Sequence, residues 1–139
     1  MLIIRRMVIA AAAFIALILT PAEAADQVNL TTFPVTIASG QSLSPEVDLG
    51  ANSLVGIAMP AAWTAAALTF QVSPDGGTTW LELQSTSAVI SFTAAAGQFI
   101  AVDPTALRGF NALKVRSGTS GAPVTQGANA TLTLIGKAF

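Results

Sequence analysis

Short runs of strict two-residue alternation between apolar and polar side chains, punctuated by glycine and proline, constrain this chain more than any other feature. Leu68, Phe70 and Val72 alternate with Thr69, Gln71 and Ser73. Leu132 and Leu134 alternate with Thr131 and Thr133. Phe33, Val35 and Ile37 alternate with Thr32, Pro34 and Thr36. A period of two places every apolar residue on one face of an extended strand, which is the pattern of a sheet with one buried face. Beyond the first 24 residues no ten-residue stretch carries a 3.6 period, so helices are not expected to build the core.

Further strands are expected at Leu43–Leu49, bent at Pro45, and at Leu54–Met59, whose near-continuous apolar run suits a buried central strand. Others follow at Thr78–Leu83, Ala88–Thr93, Phe99–Val102, Ala112–Arg116 and Ala130–Ile135. In Thr78–Leu83, Leu81 and Leu83 should share one face, opposite Trp80 and Glu82. Pro34 lacks a ladder donor and marks Thr32–Ile37 as an edge strand. Asp103-Pro104 reads as the cap and first residue of a single helical turn through Leu107. The short alanine clusters at 61–62, 65–67 and 94–96 read as loops or strand ends. The expectation is an all-β fold: a two-sheet antiparallel β-sandwich, jelly-roll-like, of about eight or nine short strands. A signal-like N-terminal helix precedes it.

That leading segment has its own logic. Arg5 and Arg6 form a basic start, Met7–Leu19 is a 13-residue apolar run, Thr20-Pro21 breaks it, and Ala22-Glu23-Ala24 is a small-residue cleavage pattern. Residues 1–24 therefore read as a secretory signal peptide, with cleavage after Ala24. An uncleaved anchor is the alternative, although the run is short of the roughly 20 apolar residues a spanning helix needs. Residues 25–139 form the β-sandwich domain.

Composition removes many functions. The chain has no Cys and no His, which excludes disulfides, thiol nucleophiles, zinc fingers and any Ser-His-Asp triad. After Ala24 the cations are Arg108, Lys114, Arg116 and Lys137, and the carboxylates are Asp26, Glu46, Asp48, Asp75, Glu82 and Asp103. So few cations argue against a nucleic-acid binder. The scattered carboxylates do not suggest a catalytic pair. No catalytic residue, cofactor or metal site is expected, and the chain is read as a non-enzyme.

Four features are candidate sites. Glu46 and Asp48 share a strand face and could bind a cation or simply solvate an edge. Lys114 and Arg116 share the face opposite Leu113 and Val115, where they could contact an acidic sugar or a neighbouring subunit. Trp63, on a loop between two strands, is a candidate contact residue or a plug for the end of the sandwich. The Gly118–Gly127 loop is a second candidate contact surface, because loops carry recognition on rigid β scaffolds. Asn29-Leu30-Thr31 and Asn129-Ala130-Thr131 fit the glycosylation pattern, but chance accounts for both in so Thr-rich and Ala-rich a chain.

Ser73-Pro74-Asp75-Gly76-Gly77-Thr78-Thr79-Trp80 fits S-x-D-x-G-x-T-W at each fixed position. It resembles the Asp-box, a β-hairpin motif of sialidase propellers and other secreted β-proteins. The resemblance implies a structural hairpin held by Ser73, Asp75, Gly77, Thr79 and Trp80. One copy cannot build a propeller, which needs repeated blades.

A broader resemblance runs from Thr36 to Ile135. Leu54-Val55-Gly56-Ile57-Ala58-Met59-Pro60, Trp63 through Gln71, Ser73–Trp80, Asp103-Pro104 with Leu107, and Leu113 through Thr119 with Pro123-Val124 carry it. Together they are similar to small β-sandwich proteins encoded among the structural genes of tailed phages and prophages. The resemblance implies a virion surface or accessory protein, such as a head decoration or fibre component. Such a protein acts by protein–protein packing, as a homo-oligomer or with other virion or surface proteins. An exported carbohydrate-binding module is the alternative. On either reading the protein is virion-borne or exported, with no nucleic-acid partner and membrane contact only through an uncleaved N-terminal segment.

Overall fold

The structure, a computed structural model, describes residues 29–139. The expected signal segment, residues 1–24, lies outside the described residues. Among these, nine strands and one 3₁₀ turn follow in the order β1 (Leu30–Ile37), β2 (Val47–Asp48), β3 (Asn52–Ala58), β4 (Leu68–Val72), β5 (Leu81–Glu82), β6 (Ser91–Phe92), β7 (Phe99–Ala101), the turn Pro104–Ala106, β8 (Ala112–Ser117) and β9 (Ala130–Ala138). The fold is all-β and sandwich-like. One antiparallel sheet has four strands in the order β1-β9-β3-β7, and a second has the order β2-β8-β4-β5, with β6 also paired to β4.

β5 and β6 are two pieces of one line. Glu82 and Leu81 pair with Gln71 and Val72, while Phe92 and Ser91 pair with Leu68 and Thr69, in the same antiparallel sense. Between them the chain leaves the sheet as a small excursion closed by the Gln84–Val89 bridge. With these pieces taken together, the pairings nest: β1 with β9, β2 with β8, β3 with β7, and β4 with β5/β6.

The core follows from the alternation. Val35, Ile37, Leu54, Ile57, Leu132 and Leu134 of the first sheet meet Val47, Phe70, Val72, Leu113 and Val115 of the second in one buried cluster. Each such side chain contributes roughly 1.5–3 kcal/mol on burial. Phe92 packs edge-on to Phe70, with ring centroids 5.8 Å apart. Strand β1 lies at a sheet edge, as Pro34 requires. Asp103 caps the 3₁₀ turn, its carboxylate accepting hydrogen bonds from the Thr105 N–H and hydroxyl.

Two strands differ from their expected form. The run Leu43–Leu49 contributes only Val47–Asp48 and an isolated Leu43–Arg116 bridge. Between them buried Ser44 acts as a splice: its N–H donates to the Val115 carbonyl at 2.8 Å, and its Oγ accepts from the Val115 N–H at 2.9 Å. A side-chain oxygen replaces a ladder carbonyl where Pro45 interrupts pairing. In Thr78–Leu83, Leu83 is buried but Leu81 is 55% exposed. Strand β5 is two residues long at the sheet edge, and Leu81 overhangs it beside a hollow that Pro74 and Phe110 also line.

Candidate functional site

The Ser73–Trp80 hairpin closes on itself. Ser73 Oγ donates to Asp75 Oδ1 at 2.9 Å and accepts from the Gly77 N–H at 2.6 Å. Asp75 Oδ1 also accepts from the Thr79 N–H at 2.7 Å, and Trp80 Nε1 donates to the Gly77 carbonyl at 3.1 Å. The Thr79 side chain and N–H, helped by Ser73 and the Thr78 N–H, lower the Asp75 pKa to about 2 against an opposing desolvation. Gly77 is constrained twice. Its φ is +101°, and a Cβ there would lie 3.0 Å from Glu46 Oε2. Ser73, Asp75, Gly77, Thr79 and Trp80 thus each have a hydrogen-bond partner inside the hairpin.

The same face of the second sheet absorbs the cations proposed as contacts. Lys114 Nζ lies 4.2 Å from the centroid of the Trp80 ring. Arg116 Nη1 pairs with Glu82 Oε1 at 2.7 Å, and the Ser120 hydroxyl donates to Glu82 Oε2 at 2.5 Å. Glu46 and Asp48 do not converge. Glu46 reaches the hairpin at Gly77, whereas Asp48 accepts from the Gly50 N–H at 2.7 Å.

Trp63 is 8% exposed and belongs to the core cluster, with Nε1 donating to the Ala66 carbonyl at 3.4 Å. Its burial supports the plug and leaves little of the ring for an external contact. Next to it lies a residue the sequence did not single out. Gln126 is 1% exposed: its Oε1 accepts from the Thr64 N–H at 2.8 Å, and its Nε2 donates to the Thr64 carbonyl at 3.2 Å and to Ser117 Oγ at 2.7 Å. The Trp63 loop and the Gly118–Gly127 loop are thereby clasped into one end of the molecule.

The other surface of note is the outer face of the four-stranded sheet. The registers place Pro34, Thr133, Ala58 and Phe99 in one row and Thr32, Ile135, Gly56 and Ala101 in the next. Thr36 and Thr131 share a hydrogen bond between their hydroxyls at 2.8 Å. These rows carry no charge. Phe99, 61% exposed, lies over Gly56, where any Cβ would strike the ring. Absence of a side chain at Gly56 leaves the space that the ring occupies. No protein-family model matches this chain, and no curated protein is significantly similar to it.

Proposed function

We propose that this chain is a non-enzymatic accessory protein of a phage-like virion surface, of head-decoration or fibre type, that works by packing flat faces against copies of itself. The carrying observation is the pair of uncharged rows on the outer face of the four-stranded sheet, with Phe99 exposed on one of them. Apposed to a second copy, those rows bury no unpaired charge, so the desolvation penalty that ordinarily keeps charged faces apart does not arise. An exposed aromatic seated over a glycine is a suitable anchor for such a contact.

The nested strand pairing supports a jelly-roll reading of the sandwich, an architecture used by viral capsid domains. The likeness of Thr36–Ile135 to phage structural-gene products points the same way. The Ser73–Trp80 hairpin serves as a staple in this reading, and Lys114 and Arg116 steady the second sheet. Residues 1–24 are read as a signal that is removed after Ala24.

The test is mass spectrometry of purified virions from a strain that encodes the chain, with the N-terminus of the recovered protein read. Recovery in stoichiometric amount, beginning at Ala25, is the expected result. Its absence from virions, with the protein found alone outside the cell, overturns the virion role.

A further inference from the structure

Arg108 and Lys137 stand apart from the other two described cations. Lys114 and Arg116 are engaged by Trp80 and Glu82, but neither Arg108 nor Lys137 lies within 4.0 Å of a carboxylate among the described residues. Both are gathered on one ring instead. The Arg108 guanidinium carbon is 5.0 Å, and Lys137 Nζ 5.2 Å, from the centroid of Phe139. Both positive charges thus lie against the same ring, whose π-electron faces attract cations.

An open hollow of about 510 Å³, lined by Ala51, Ser53, Arg108, Gly109 and Phe139, lies beside them. A smaller one of about 220 Å³ adjoins it through Ala51, Ser53 and Gly109 and adds Asn52 and Asn111. Ser53 lines both. It is 8% exposed, it is the cross-strand partner of Lys137, and its hydroxyl makes no hydrogen bond to a described residue. Its oxygen is reached from the hollow and not sealed in the core, so it is a donor and acceptor open to a ligand there. The nearby carboxylate, Asp48, is turned onto the Gly50 N–H.

We propose that the two adjoining hollows bind an anionic sugar residue, with a carboxylate or phosphate of the saccharide held by Arg108 in the lining and by Lys137 from beyond it, and its hydroxyls by Ser53 and Asn111. The cations select an anion, and the forked guanidinium of Arg108 suits carboxylate and phosphate alike. The larger hollow is in the size range of small-molecule pockets, and neutral donors and acceptors beside the cations match hydroxyl groups better than a bare ion. The site lies at the opposite end of β3 from Phe99.

Isothermal titration calorimetry on the full chain tests it, with digalacturonate, glucose 6-phosphate, maltose and inorganic phosphate as probes. Binding of digalacturonate or glucose 6-phosphate, with maltose silent, is expected, and which of the two binds tells carboxylate from phosphate. Arg108→Ala should weaken that binding at least about tenfold, Ser53→Ala should weaken it by a smaller factor, and Arg108→Ala should melt like the parent because the side chain is exposed. Failure of both anionic sugars to bind, inorganic phosphate binding as tightly as they do, or full affinity in an Arg108→Ala/Lys137→Ala variant that still folds would each overturn the proposal.

Discussion

Gln126 and Thr64, 62 residues apart in sequence, hold each other by a two-way pair of hydrogen bonds, the Thr64 N–H to Oε1 at 2.8 Å and Nε2 to the Thr64 carbonyl at 3.2 Å. The side-chain amide pairs with backbone as a neighbouring strand would. Gln126→Ala leaves both Thr64 groups and the Ser117 hydroxyl short of a partner. Unsatisfied buried groups cost about 1–3 kcal/mol each when no water replaces the partner. We expect a stability loss of at least about 2 kcal/mol by urea denaturation; an unchanged midpoint would show that the clasp is dispensable.

Trp63→Ala should destabilise the fold by about 3–5 kcal/mol, as truncation of a buried aromatic does. Self-association of the molecules that remain folded should not change, because the ring presents almost no surface. Melting and sedimentation measured on the same variant separate the two effects. Weakened association at unchanged stability would make Trp63 a contact residue after all.

Gly118→Ala should also be costly. Gly118 has a φ of +84°, and a Cβ there would be driven into the Ala122 carbonyl and the Val124 N–H. Backbone strain and overlap together should remove more than about 1 kcal/mol, readable as a lower thermal midpoint. A midpoint equal to the parent's would mean that the loop relaxes freely.

Asp75 ties the hairpin to pH. Its pKa is lowered from 3.8 to about 2, so its contribution is fully present above the unfolded value and is lost as pH falls from about 4 towards 2. Asp103, lowered by the Thr105 hydroxyl and N–H, adds to the loss on the acid side. In Asp75→Asn the acid-side decline in urea midpoint should be shallower than in the parent. Identical profiles across that window would mean that the carboxylate charge plays no part in the hairpin.

Phe99→Lys places a charge among the uncharged rows on the outer face of the four-stranded sheet. Self-association should weaken at least about tenfold in sedimentation equilibrium, with little change in melting, since the ring is 61% exposed. Association as strong as the parent's would remove that face from the packing proposal.

Much of the strand plan was legible because alternation is local. Leu68, Phe70 and Val72 announce a buried face using only their own neighbours, and the hairpin is legible for the same reason, since Ser73, Asp75, Gly77 and Thr79 bond within a few residues of one another. Asp103-Pro104 likewise carries its own cap.

Tertiary structure decided the rest. Nothing near Gln126, in a Gly-, Ser- and Thr-rich loop, distinguishes it from a solvated polar residue; its burial exists only because the Trp63 loop arrives beside it. Trp63 became a core residue by the same meeting. Leu81 was expected inside because alternation does not report where a sheet ends, and two residues of edge strand leave it outside. Arg108, Lys137 and Phe139 converge because the β3–β9 register sets Lys137 beside Ser53 and the chain after the 3₁₀ turn brings Arg108 to the same end. By itself the sequence determined which segments extend and which side chains face inward, because those depend on short-range periodicity and turn chemistry. The clasp, the flat face and the cationic hollow depend on contacts between residues distant in the chain, which only the assembled sheets determine.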